Sequence, residues 1–213
     1  LSNSSYVQKH LEDILTYNCI PLKNYLNITL TPSNPILHPS RLYSLFRNWN
    51  NSIKYDRPIK FYEEWDEESY TNLKGCDNEV QNICKHIPDN SILPLEDYYK
   101  ITYEDDIVDK TNLFTIIKTN KSYKGINTPM IKCEDKYIPD FKSRYLLEDI
   151  PYGLVIIKSI ALLLEVKTPY IDKILLWGQK VINKEYIINN KLIGKDVKEL
   201  NIPQNFNILT KEQ

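Results

Sequence analysis

The sequence predicts an all-α fold. Three observations carry that reading: apolar residues recur at helical spacing through two long stretches, a buried-type apolar run of helical length follows, and prolines stand where helices begin. The first stretch follows Pro39, with Leu42, Leu45, Phe46 and Trp49 on one side. The second runs from about Asp66 to Lys85 with Tyr70, Leu73, Val80, Ile83 and Cys84, although Gly75 weakens it. The apolar run is GLVIIKSIALLLEV at 153–166, which carries Lys158 and Glu165 and is too short to span a bilayer.

Taken in order, Ser4 or Ser5 can cap a short opening helix whose Val7, Leu11, Ile14 and Leu15 share a face. YLNITLTP at 25–32 then alternates as a strand. One helix and one strand cannot cover each other's faces and edges, so the first 32 residues read as the tail of something larger. NPILHP at 34–39 places His38 between two prolines; Pro39 suits a first helical position and should hold His38 extended. Ser91 to Asp140 mixes helical pieces with loop signals at Gly125 and Pro129, and its acidic cluster of Glu104, Asp105, Asp106 and Asp109 reads as a solvated face. Ile150-Pro151 opens the apolar helix, and Thr168-Pro169 opens a last one, capped by Thr168, with Ile171, Ile174, Leu175, Val181 and Ile182 inside. No internal repeat is found.

Composition narrows the function. The 213 residues are 42% hydrophobic and 26% charged, a profile of globular protein, and a formal net charge of -1 argues against nucleic acid as partner. The cysteines, Cys19, Cys76, Cys84 and Cys133, have neither zinc-site nor redox-pair spacing, and read as reduced structural thiols. With no leader of secretory type and no membrane span expected, the chain reads as cytoplasmic.

Three side chains stand out chemically: His38, and Arg144 and Asp149 in SRYLLEDIPYGL. A five-residue separation puts Arg144 and Asp149 on different faces of a regular helix, but Pro151 disfavours helix at Ile150, so the segment reads as a loop in which both can face one cleft. An aspartate there can orient a histidine for proton transfer, and an arginine can grip a carboxylate with two parallel hydrogen bonds. From spacing alone, each has a plainer reading: a histidine satisfied by a backbone carbonyl, a helix cap, and a surface ion pair.

The stretches NPILHPSRLYSL and SRYLLEDIPYGLV, with FYEEWD at 61–66, YKGINTPM at 123–130 and TPYID at 168–172, resemble the octopine/nopaline (opine) dehydrogenase family in order and spacing, over about Asn27 to Lys173. The likeness is to that family's C-terminal helical substrate domain. It implies an N-P-x-x-H-P histidine at His38 as acid/base, and from R-Y-x-x-E-D a substrate-binding Arg144 and a histidine partner at Asp149. Glu165 departs from the family's pattern, standing where glycine is common. The resemblance also implies NAD or NADP as cofactor, bound mainly by a Rossmann domain not in this sequence. The five glycines, at 75, 125, 153, 178 and 194, never form the G-x-G-x-x-G turn that dinucleotide binding needs, so no cofactor-binding residue and no metal ligand is expected here.

The resulting division is residues 1–32 as tail of the nucleotide-binding domain or linker, its helix and strand left over from the Rossmann fold, and 33–213 as the helical substrate domain. The expected activity is NAD(P)H-dependent reductive condensation of a 2-keto acid with an amino acid amino group. The chain alone is expected to be inactive. Its partners would be the two small-molecule substrates and the Rossmann domain, with no nucleic acid or membrane, and with a homodimer allowed. Two rivals stand: a 2-hydroxy- or keto-acid reductase on the same two-domain plan, and a non-catalytic helical ligand-binding domain.

Overall fold

The computed structural model describes residues 3–31, 33–88 and 91–210. Its frame is helical: α1 (Ser4–Leu15), α2 (Leu26–Thr29), α3 (Asn34–Phe46), α4 (Glu67–Cys84), α5 (Leu95–Thr102), α6 (Leu113–Thr119), α7 (Arg144–Leu147), α8 (Val155–Leu163) and α9 (Pro169–Val181). The described strands are β1 (Met130–Cys133) and β2 (Lys136–Pro139), an antiparallel hairpin pairing Met130 with Pro139 and Cys133 with Lys136. None of the described helices is long and apolar enough to cross a membrane.

Helix α3 lies at the centre. It packs on α4, on α9 and on the turn that precedes α8. Its Ile36, Leu37, Leu42 and Phe46 meet a core that includes Leu73, Val80 and Ile83 of α4, Val155 and Ile157 of α8, and Ile171, Ile174 and Leu175 of α9. Burial of each such side chain contributes roughly 1.5–3 kcal/mol, which is why these stripes and not propensity fix the helices.

Two close approaches set the packing. A Cβ on Gly75 would lie 2.4 Å from the Tyr170 ring, so the residue that weakens α4 is what lets α9 lie against it. A Cβ on Gly153 would fall 2.6 Å from the Pro35 side chain, so the chain entering α8 touches the first turn of α3. Helix α9 is capped from outside its own segment: Thr168 holds the N-cap position without capping through its side chain, and the buried Glu79 of α4 accepts from Tyr170 N–H at 2.7 Å and Ile171 N–H at 2.9 Å. Beside it, buried Lys158 pairs with Asp172 at 2.7 Å and donates to Thr168 Oγ1 at 2.9 Å.

Several expectations are corrected. Helix α1 forms with Asn3, not a serine, at its N-cap, and none of its residues is buried; Val7, Leu11, Ile14 and Leu15 are all exposed. The expected strand at 25–32 is a helical turn, α2, because Leu30 N–H closes onto Leu26 O and the alternation of Leu26, Ile28 and Leu30 finds no neighbouring strand among the described residues; Pro32 lies outside them. Helix α3 begins a turn earlier than expected, with Pro35 in its first positions and Pro39 inside, so His38 is helical and not extended. The bond lost at Pro39 is outweighed by burial of Ile36 and Leu37 on that first turn. The hairpin was not legible, since its turn uses Glu134 at φ 58° instead of a glycine.

Candidate active site

The site forms where α3 meets the chain between α7 and α8. The expected loop at 144–149 is instead one α-helical turn, α7, followed by a π turn over Ile150–Leu154. Pro151 has no N–H to give, and Leu154 N–H reaches back to Asp149 O at 2.9 Å, closing a wide i→i+5 ring. The widened turn changes the helical phase. As a result Arg144 and Asp149, which one regular helix would separate, line the same cleft of about 260 Å³ with Asn34, His38, Tyr62 and Tyr145.

His38 Nδ1 lies 2.8 Å from Asp149 Oδ2. The pair is mostly shielded from solvent, with His38 6% exposed. Asp149 occupies the N-cap position of the π turn but its side chain makes no cap bond, so the carboxylate is turned to the imidazole instead. The Gly153–Pro35 approach is what allows this meeting, since it presses the Asp149 segment onto the helix that carries His38.

The other imidazole nitrogen is also engaged: His38 Nε2 lies 3.2 Å from Tyr62 Oη. Tyr145 stacks on the ring face at 3.7 Å and 7°, and Phe61 meets it edge-on at 5.5 Å. Burial pushes the Tyr62 phenol far above the ordinary tyrosine range, and pushes Tyr145 up as well, so both hydroxyls keep their protons.

Tyr62 sits in FYEEWD, and that segment is pinned by fully buried Arg41, one helical turn beyond His38. Its guanidinium donates from Nε to Phe61 O at 3.1 Å, from Nη2 to Glu64 O at 2.6 Å, and from Nη1 to Asp66 at 2.6 Å and Ser69 Oγ at 2.9 Å. It also lies over the Trp65 ring, 5.3 Å from the centroid. Helix α3 thus sets both His38 and the segment that faces it.

Arg144 stands at the cleft's rim, its side chain 75% exposed and paired with Glu148 at 3.4 Å. An exposed i,i+4 pair of this kind is worth well under ~1 kcal/mol, so the guanidinium is available to an anionic ligand. The structure therefore gathers all three side chains singled out in the sequence. It adds Tyr62 and Tyr145, which sequence reasoning missed; they lie within FYEEWD and SRYLLEDIPYGL, but nothing in either stretch says that its tyrosine faces a histidine 24 residues before the one and 107 before the other.

Gly75, Gly153, Gly178 and Gly194 are each pressed against side chain or backbone, whereas Gly125, at φ 81°, faces open space. Among the described residues no cluster of three or more His, Cys, Asp or Glu side chains could hold a metal ion, and Glu104 and Asp105 of the acidic stretch are exposed.

Comparison with known proteins bears on the family and the fold that carry this cleft. A family model described as NAD/NADP octopine/nopaline dehydrogenase, alpha-helical domain, matches residues 21–182. The chain is 35% identical over 193 residues to tauropine dehydrogenase of Arabella iricolor, covering 87% of this chain and 48% of the relative. It is 34% identical over 195 residues to octopine dehydrogenase of Pecten maximus, covering 88% and 48%. A solved structure of octopine dehydrogenase with NADH and L-arginine superposes with a TM-score of 0.87 at 30% identity, over 95% of this chain and 52% of that one. The same enzyme with NADH and pyruvate gives 0.79 at 29% identity, over 89% and 47%. The chain spans about half the length of the curated relatives it matches.

Proposed function

The chain belongs to the octopine/nopaline dehydrogenase alpha-helical domain family, and from that membership we propose that it is the substrate-binding and catalytic half of an NAD(P)H-dependent opine dehydrogenase. In this reading residues 33–213 form the catalytic helical domain, and residues 1–32 are the tail of the nucleotide-binding domain or a linker to it. The reaction joins the amino group of an amino acid to the carbonyl of a 2-keto acid, loses water to give an imine, and reduces that imine to a secondary amine. A reduced nicotinamide, held by the other domain, supplies the hydride.

The observation that carries the proposal is the His38–Asp149 hydrogen bond at 2.8 Å within a cleft that also holds Arg144. Asp149 fixes the imidazole with its proton on Nδ1 and stabilises the imidazolium when a second proton arrives at Nε2. His38 then supplies the proton that leaves with water and takes one back as the amine is freed. Arg144 holds a substrate carboxylate through its planar fork, which orients the reacting carbon as well as binding it. Tyr145 and Phe61 keep water from the ring faces. The proposal extends to NAD or NADP as hydride donor, to a homodimer as an allowed assembly, and to the cytoplasm, where thiols such as buried Cys76 stay reduced.

The experiment is steady-state kinetics of the two-domain enzyme, with a keto acid and an amino acid varied separately. His38→Ala should lower kcat by about a hundredfold or more, the scale of positioned proton transfer. Arg144→Lys should mainly raise KM for the substrate whose carboxylate it holds. Unchanged kinetics in His38→Ala would end the proposal.

A further inference from the structure

His38 has no ring nitrogen open to the cleft. Nδ1 is taken by Asp149, Nε2 by Tyr62 Oη at 3.2 Å, and the ring faces are covered by Tyr145 and Phe61. A proton can leave or enter an imidazole only through a nitrogen, and the Asp149 carboxylate already holds one of them. The remaining route to a ligand runs through the group on Nε2. That group lines the same cleft as Arg144.

We propose that Tyr62 is a catalytic residue of the proposed dehydrogenase, its hydroxyl relaying the proton between His38 Nε2 and the substrate. The step balances without a tyrosinate. As the Tyr62 O–H proton passes to the departing substrate oxygen, the phenol oxygen takes the Nε2 proton of the imidazolium. The substrate gains one proton, His38 loses one, and Tyr62 ends neutral as it began. In the reverse direction each transfer runs backward.

The surroundings of Tyr62 suit such a relay. Its ring is stacked on Tyr123 at 4.1 Å and 18°, and Phe61 beside it is held by its own N–H to Ile126 O at 2.9 Å and by Arg41 on its carbonyl. The hydroxyl therefore cannot swing out of line with Nε2 without breaking a packed aromatic pair. Burial, which pushes the phenol's ionisation upward, keeps the proton on the oxygen between transfers. A hydroxyl is both donor and acceptor, so it can serve the neutral imidazole and the imidazolium alike, which a phenylalanine or a backbone N–H could not.

The inference rests on the opine dehydrogenase reading, and the test separates the two. In the two-domain enzyme, Tyr62→Phe should cut kcat by about a hundredfold, the scale of positioned proton transfer, while KM for either substrate moves by less than about threefold. The dependence of kcat on deuterium fraction should be curved in the native enzyme, from two protons in flight, and lose that curvature in the variant. The 15N spectrum of the chain gives a readout independent of activity: with only His10, His38 and His86 present, Tyr62→Phe should shift the His38 Nε2 resonance and leave the other two in place. A Tyr62→Phe enzyme within about threefold of native kcat, alongside an inactive His38→Ala, would overturn the relay and leave the dyad standing. Silence in both variants would overturn the dyad reading itself, and the relay with it.

Discussion

Replacing Gly153 by alanine should disturb the site without touching a reactive group. The added Cβ would meet the Pro35 side chain at 2.6 Å and the Pro35 Cα at 3.3 Å, against an ordinary contact of 3.4 Å or more. Opening 2.6 to 3.4 Å requires about 0.8 Å of separation between α3 and the π turn, in a core whose close packing resists it. If that separation passes undiminished to the neighbouring pair, the 2.8 Å bond from His38 to Asp149 lengthens to about 3.6 Å, beyond hydrogen-bond range. Overpacking of this kind costs about 1–3 kcal/mol, and the better helix propensity of alanine returns up to about 1. A net loss of about 1–2 kcal/mol lowers Tm by roughly 2–8 °C in a chain of this size. Thermal unfolding by circular dichroism measures the first effect, and the low-field proton resonance of His38 Nδ1–H measures the second. A variant with native Tm and an unchanged Nδ1–H signal would show that the Pro35 approach does not hold the dyad together.

Arg41→Lys keeps one charge but gives up the fork, leaving the carbonyls of Phe61 and Glu64 without their donors; we expect a loss of about 2–4 kcal/mol in urea unfolding and a fall in activity as Tyr62 loosens. Glu79→Ala uncovers two N–H groups at the start of α9 and should destabilise by about 1–3 kcal/mol, with Glu79→Gln milder because one acceptor remains. Acid should weaken the fold through Glu64 and Asp66. The Arg57 hydrogen bond first, and the Lys60 N–H with it, draw Glu64 down to about 2; burial raises Asp66, but its bonds from Ser69 and Arg41 outweigh that and leave it lowered. Both are carboxylates with depressed folded values, so their contribution is full above the ordinary values of 4.5 and 3.8 and is lost as pH falls toward 2. A plot of urea midpoint against pH should drop across that window and drop less in Glu64→Gln.

What could be read from the sequence was local and periodic. Leu73, Val80 and Ile83 on α4, and Ile171, Ile174 and Leu175 on α9, repeat at a spacing that only a helix turns to one side, and they are buried as expected. His38, Arg144 and Asp149 were picked out by residue type, by unusual backbone context and by family likeness, and they line one cleft. Pro39 suits a first helical position, and so points to a start of α3 one turn too late; burial of Ile36 and Leu37 extends the helix back through it. The short alternation at Leu26, Ile28 and Leu30 misled because alternation becomes a strand only where a partner strand lies alongside. The π turn and the Tyr62 contact depend on how distant segments meet, which no spacing within one segment encodes.

The dyad joins two residues 111 positions apart. Contacts of such long sequence separation carry a heavy loop-closure entropy and form late, after the local helices and their nearest packing are in place. On a ribosome adding about 5–20 residues per second, His38 is made roughly 5–20 s before Asp149. Through that interval the imidazole lacks its carboxylate, and α3 lacks the π turn that covers its first turn. Acquisition of the His38–Asp149 bond is accordingly a late marker of folding, and a chain halted before residue 149 would carry the histidine motif intact yet have no site.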